Sequence, residues 1–561
     1  MYVFSSGARR SKDHVWVTAG LKRAPARLLR SASPHGGEPT RQVGSSRQRK
    51  CLATCSLPKR AAANISNAER ARKARTGKAR GKGYLGEAVA RAVAPYATAR
   101  VAPPEKQNSQ GRTLSRLLDK PLFLTPLIEY NETEKARHLS RVTVFEDFDI
   151  EAHSGYITVQ KTFGSNLFFL LTKTKNSPEK APLILWTFGG PGVSSLLGPL
   201  LFNGPLTLDR HGRLGRVAPS MGNLQSFAHV IYLDHPVGSG YSFAKHDADD
   251  RPFSKSINDS VNGIDEFLRQ FELLFPEFQG RELYIAGESY SARDAFGYAY
   301  RYHRNSGDMK NSFKLAGIMS GAGLIAPFVQ AANPAQFLLN IGLVGPEGRR
   351  KFDEKFRQIK DAVKDEEMLV ALLLLREVFS GGDGHASSLY QNVTGYRHRA
   401  SALHSTEPLE FTSYRVYLRS DDFKKAAHVG LNATMERQKS YVTNSLYAYD
   451  AFTDINDIVQ TVLENQRVLV YGGNMDVVYP ELSTYRFLMT LKWSGEKDFK
   501  RTRRKPYTDA SGTGEVVGYK LQVKNLTYAL LVNAGHHVSF DKRAAVIDLY
   551  KEFVVANTEN S

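Results

Sequence analysis

The chain has 561 residues, 42% of them hydrophobic and 24% charged, with a formal net charge of +20. That length allows one large domain with a sizeable core and something extra. The charge is confined: residues 1–110 carry 23 Lys+Arg against 5 Asp+Glu, leaving 53 against 51 for the rest.

The N-terminal segment, up to about residue 115, is rich in Arg, Ala, Ser and Gly, with basic runs such as Arg70 to Arg75 and few apolar residues at any regular spacing. It is expected to be disordered. Its Arg-rich, acid-poor character resembles a mitochondrial transit peptide. No aromatic residues interleave with the basic clusters, which argues against nucleic acid as a partner and for a solvated leader or an incorrectly joined upstream exon. Residues Met1 to Phe4 are followed at once by Ser, Gly and Arg, so no signal peptide is recognisable. The richest apolar run, Leu369 to Leu375, falls far short of the roughly 18 residues a membrane span needs. Both cysteines, Cys51 and Cys55, fall in this segment, which points weakly to a reducing compartment, whereas six Asn-x-Ser/Thr sequons, at Asn64, Asn131, Asn258, Asn392, Asn432 and Asn525, matter only on the secretory route.

From residue 116 onward strand-like and helix-like segments alternate, the texture of an α/β domain running to residue 561. Tyr156 to Gln160 and Leu167 to Leu171 read as paired early strands. Leu183 to Trp186, Val230 to Leu233, Leu283 to Ala286, Ala316 to Met319 and Val468 to Tyr471 are short apolar runs that suit buried parallel strands. Between about 326 and 418 helical periodicity takes over, as in Phe352 to Val363 and Met368 to Val378, and is read as a helical insertion lying over a mostly parallel sheet.

Three of the strands end in chemistry. The run Leu283 to Ala286 leads into Gly287-Glu288-Ser289-Tyr290-Ser291, the pattern of a nucleophile elbow whose usual final glycine is here Ser291. The run ending at Tyr471 is followed by Asp476. Tyr528 to Val532 is followed by His536 and His537. The order Ser289, Asp476, His536 is that of α/β-hydrolases, and each residue stands just past a strand, where such sheets keep functional groups. Trp186-Thr187-Phe188-Gly189-Gly190-Pro191-Gly192 follows another buried strand and offers a backbone N–H to an oxyanion. Its glycine spacing fits neither a phosphate loop nor a dinucleotide fingerprint. This chemistry calls for no metal or cofactor. His536 and His537 are expected on opposite faces if they leave a strand.

The blocks Trp186 to Ser195, Asp234 to Ser242, Gly287 to Tyr290 and Ala534 to His536 resemble those of the serine carboxypeptidases. Lys120 to Pro126, Ser165 to Phe169, Gln391 to Gly395 and His428 to Gly430 bring the likeness closest to the vitellogenic-like carboxypeptidases. It covers about residue 116 to the C-terminus and implies an α/β-hydrolase fold with a helical cap, a peptide or protein substrate, and a lysosomal or secreted setting. It further implies Ser289 as nucleophile, His536 as base and Asp476 as its orienting acid, with Gly190 and Tyr290 forming the oxyanion hole.

The resemblance also implies that a substrate carboxylate is held by Trp, an amide and a pair of glutamates sharing a proton. Trp186 and Glu288 match that pattern. The amide position is Phe188 and the second glutamate Phe202, so the shared proton cannot form, carboxylate recognition comes into doubt, and Glu288 is expected to face an apolar wall. Further departures are Val193 at a disulfide position, Asn474 for the first acid of an Asp-x-Asp pair, Asp294 and Phe296 after the elbow, and Ser539 and Arg543 where prolines usually follow the histidine. Two other readings stand beside the hydrolase: a non-catalytic binding or scaffold protein on the same fold, and an acyltransferase or altered-specificity hydrolase.

Overall fold

In the computed structural model, strands and helices alternate around one sheet; the described residues are 119–245, 252–380, 387–509 and 512–555. The basic segment, with Cys51, Cys55 and Asn64, lies outside them.

The sheet has eleven strands among the described residues. Its order along the main path is Ala152–Gln160, Ser165–Thr172, His229–Leu233, Leu183–Gly189, Glu282–Ser289, Lys314–Gly321, Val468–Gly473, Leu526–Leu531, Val516–Val523 and Lys505–Thr508. The six strands from His229–Leu233 to Leu526–Leu531 are mutually parallel, and the two pairs outside them are antiparallel. Each strand-like run named above lies within one of these strands, apart from the end of the last, where Val532 falls just beyond.

Parallel strands are covered on both faces, which is why they are apolar throughout. Along Glu282–Ser289, Leu283 and Ile285 enter one core while Tyr284 and Ala286 enter the other. The first core takes Ile264, Phe267 and Phe271 of the helix Ile257–Leu274. Ser256 caps that helix by accepting from the Asp259 N–H at 3.2 Å, and Pro276 follows its end. The second core takes Val546, Tyr550 and Phe553 of the C-terminal helix Arg543–Val555.

After Lys314–Gly321 the chain leaves the sheet through helices including Pro346–Lys364, Met368–Phe379, Leu409–Leu418 and Lys439–Tyr449. This insertion is longer than the expected 326–418. Its last helix, Lys439–Tyr449, buries only Val442, Ser445, Leu446 and Tyr447, too mixed a set to show as an apolar stripe. The helix Asn456–Asn465 then returns the chain to the sheet by burying Val459, Val462 and Leu463. No helix among the described residues is long and apolar enough to cross a membrane.

Candidate active site

Ser289 ends its strand at φ +60°, in the left-handed region that costs a side-chain-bearing residue about 1–3 kcal/mol. The turn is over-determined by its surroundings. The Ser289 carbonyl accepts from the Leu324 N–H at 3.1 Å, and the helix Ala292–Arg304 starts immediately after. Gly287 permits that start, since a Cβ there would lie 2.2 Å from the Ser291 carbonyl oxygen.

Ser289 Oγ lies 2.8 Å from His536 Nε2, and His536 Nδ1 lies 2.8 Å from Asp476 Oδ2. An ionised carboxylate can only accept, so Nδ1–H donates to Asp476 and Nε2 is left to accept from the serine hydroxyl. Asp476 is itself fixed, because its Oδ1 accepts from the N–H groups of Val478 at 2.7 Å and Tyr479 at 3.0 Å. The Tyr479 ring meets the imidazole edge-on at 5.4 Å. Ser289, His536 and Asp476 are each at most 6% exposed, so the chain of hydrogen bonds is shielded from water.

Strand register pairs Gly189 with Ser289, which sets Gly190 and Tyr290 side by side at the carboxyl end of the sheet. Among the described residues no hydrogen bond uses either N–H. The loop carrying Gly190 is pinned by Asp234, whose Oδ1 accepts from Ser194 Oγ at 2.8 Å and the Ser195 N–H at 2.7 Å, and whose Oδ2 accepts from the Tyr241 N–H at 2.7 Å.

Glu288 does not face an apolar wall. Its Oε1 accepts from Tyr471 Oη at 2.7 Å and Ser539 Oγ at 2.8 Å, while burial pushes its carboxyl above the usual range. Neither partner is marked by a sequence motif. Ser539 stands out only as a missing proline and Tyr471 only as a strand residue. The pair Trp186 and Glu288 is sealed in. Phe188 stacks on Trp186 with centroids 6.1 Å apart and meets Phe202 edge-on at 5.7 Å, and the His537 ring lies 5.9 Å from Phe188 and 5.6 Å from Phe202. The cavity of about 440 Å³ beside Ser289 and His536 is lined by Phe188 but by neither Trp186 nor Glu288. His537 also lines it, with its ring centroid 5.8 Å from that of His536. The opposite-face expectation fails because the two histidines sit in a loop entering the helix Val538–Asp541 and not on a strand.

A mostly parallel sheet that holds a serine, a histidine and an aspartate in one hydrogen-bonded line at the carboxyl ends of its strands has the architecture of the α/β-hydrolases. Comparison with known proteins narrows the class. The chain belongs to the serine carboxypeptidase family, whose model matches residues 143–556. It is 32% identical to the venom serine carboxypeptidase of Apis mellifera over 77% of this chain and 90% of that one. It is 31% identical to the vitellogenic carboxypeptidase of Aedes aegypti over 78% and 90%. The structure of a prohormone-processing carboxypeptidase from Saccharomyces cerevisiae superposes with a TM-score of 0.57 at 18% identity, covering 72% of this chain and 92% of that one, and so shares the fold.

Proposed function

We propose that this protein is a serine-type carboxypeptidase that releases C-terminal residues from peptides through an acyl-enzyme. The observation that carries the reading is the unbroken line from Ser289 Oγ through His536 to Asp476, with 2.8 Å at both links. Ser289 Oγ attacks the scissile carbonyl carbon as its proton passes to His536 Nε2, and Asp476 stabilises the imidazolium that forms. The N–H groups of Gly190 and Tyr290 donate to the oxyanion. Nε2 then returns the proton to the departing amine, leaving the peptide esterified to Ser289. Water attacks that ester with the same histidine as base, restoring the serine.

Labelling by an active-site phosphonate tests this. Stoichiometric modification at Ser289 is expected, and folded protein that stays unlabelled across a broad pH range would overturn it.

A secreted or lysosomal setting is proposed on the relatives' character and on the sequons. Asn131, Asn258, Asn392 and Asn432 are all exposed, while the half-buried Asn525 donates to the carbonyls of Leu463 and Glu464. A glycosidase-sensitive mass shift in the natural protein is expected.

A further inference from the structure

A free carboxylate brought up to Ser289 requires a counter-charge or strong donors, since an unpaired buried charge costs several kcal/mol. The rings of Phe188 and Phe202 have none to give; both pack on Trp186, and neither Trp186 nor Glu288 lines the cavity. Two further histidines line the same cavity, His398 and His537, and burial pushes both imidazoles down towards the neutral form. Among the described residues the cavity's one lining acid, Glu407, is already engaged by Arg415. Its remaining charged groups are Arg397 and Arg399.

Among the described residues neither guanidinium is paired with a carboxylate, although both are exposed at the cavity. The Arg399 guanidinium carbon lies 5.5 Å from the centroid of the Phe379 ring, a contact that steadies a planar cation on the cavity wall without neutralising it. The backbone just after Arg399 is tied to the reacting groups. The Ala400 carbonyl accepts from the His536 N–H at 2.7 Å, Ser401 bridges Asp476, and the Ala402 N–H donates to the Met475 carbonyl at 2.9 Å. The segment that presents Arg399 is therefore stitched to both loops that position the imidazole.

We propose that Arg399, supported by Arg397, binds the free α-carboxylate of the substrate's C-terminal residue, in the place left by the sealed Trp186 and Glu288. A guanidinium fork meets a carboxylate through two parallel N–H donors, so it fixes orientation as well as charge. Apolar and aromatic side chains in the lining are Phe188, Val193, Phe379, Tyr447, Val478 and Tyr479. The substrate class that follows is a peptide ending in a large apolar residue with an unblocked carboxylate. The proposal rests on the carboxypeptidase reading above and adds the group that recognises the chain end.

The test measures kcat/KM for an N-blocked dipeptide with an apolar C-terminal residue and for its C-terminal amide, in wild type, Arg399→Gln, Arg399→Lys and the double variant Arg397→Gln/Arg399→Gln. Wild type should prefer the acid. Arg399→Gln should lower the acid-to-amide ratio by about tenfold or more, through KM, as expected for removing one partner of a charge-assisted pair. Arg399→Lys should recover part of it. Phosphonate labelling of Ser289 in each variant reports whether the folded site survives. An unchanged acid-to-amide ratio in a double variant that still labels overturns the assignment alone, as does equal turnover of acid and amide by wild type. Failure of wild type to label overturns the hydrolase reading, and this assignment with it.

Discussion

Ser289, His536 and Asp476 form one buried, hydrogen-bonded set, and Glu288, Tyr471 and Ser539 form another. The first forms a line whose free end opens on the cavity. The second converges on Glu288 Oε1, extends from Tyr471 Oη to Tyr550 Oη at 3.2 Å, and does not line the cavity. A line that opens on a cavity can pass a proton to a reactant, whereas a cluster that reaches no cavity only satisfies its own members. In this chain, then, the set proposed to break the bond opens on the cavity, while the set around Glu288 stays apart from it.

The largest effects should come from cutting the line. Ser289→Ala removes the nucleophile and should lower kcat by about 10⁶-fold, measured on the same blocked dipeptide. Asp476→Asn should cost about 10⁴-fold, because an amide in place of the carboxylate no longer holds Nδ1–H and Nε2 ceases to be the accepting nitrogen. A loss under tenfold for either variant would remove the distinction between the two sets.

A smaller effect, on stability, is expected beneath Tyr290. Asp450 Oδ2 accepts from Arg293 Nε at 2.8 Å and from Tyr290 Oη at 2.5 Å, and both charged side chains are almost wholly buried. Asp450→Ala strands the Arg293 guanidinium with only the carbonyls of residues 450 and 453 as partners. The expected loss is about 3–5 kcal/mol in urea unfolding. Because Tyr290 also carries a proposed oxyanion donor, kcat should fall with it; a variant as stable as wild type would show that the ion pair contributes little.

The line was legible in the sequence because each member announces itself locally: Ser289, Asp476 and His536 each follow an apolar run that ends abruptly. The closed cluster was not. Tyr471 and Ser539 stand 183 and 251 residues from Glu288, and only the sheet order and the C-terminal loop bring them together. The replaced positions Phe188 and Phe202 could be read from the family's spacing, but spacing says nothing of what Glu288 bonds instead. Arg399 sits in a loop without periodicity, and its place is set by Ala400 bonding to His536, a long-range backbone contact with no sequence signature. The insertion ran past 418 unseen for a related reason, since packing and not an amphipathic stripe stabilises Lys439–Tyr449.

The smallest predicted effect tests the sealed cluster directly. Burial raises the Glu288 carboxyl, so the folded chain keeps its proton at a pH where the unfolded chain, ionising near about 4.3, has lost it. Stability from this group is therefore full below the unfolded value and falls as pH rises from there towards the raised folded value. Glu288→Gln keeps the shape and the oxygen that accepts from Tyr471 and Ser539 but has no proton to lose. Its thermal midpoint should decline less than that of wild type as pH is raised above about 4.3. Its acid-to-amide ratio should shift by less than about threefold, well under that of Arg399→Gln, because Glu288 does not line the cavity. Parallel melting curves would show that Glu288 is ionised in the folded state, and a tenfold fall in the ratio would show that it reaches the substrate carboxylate after all.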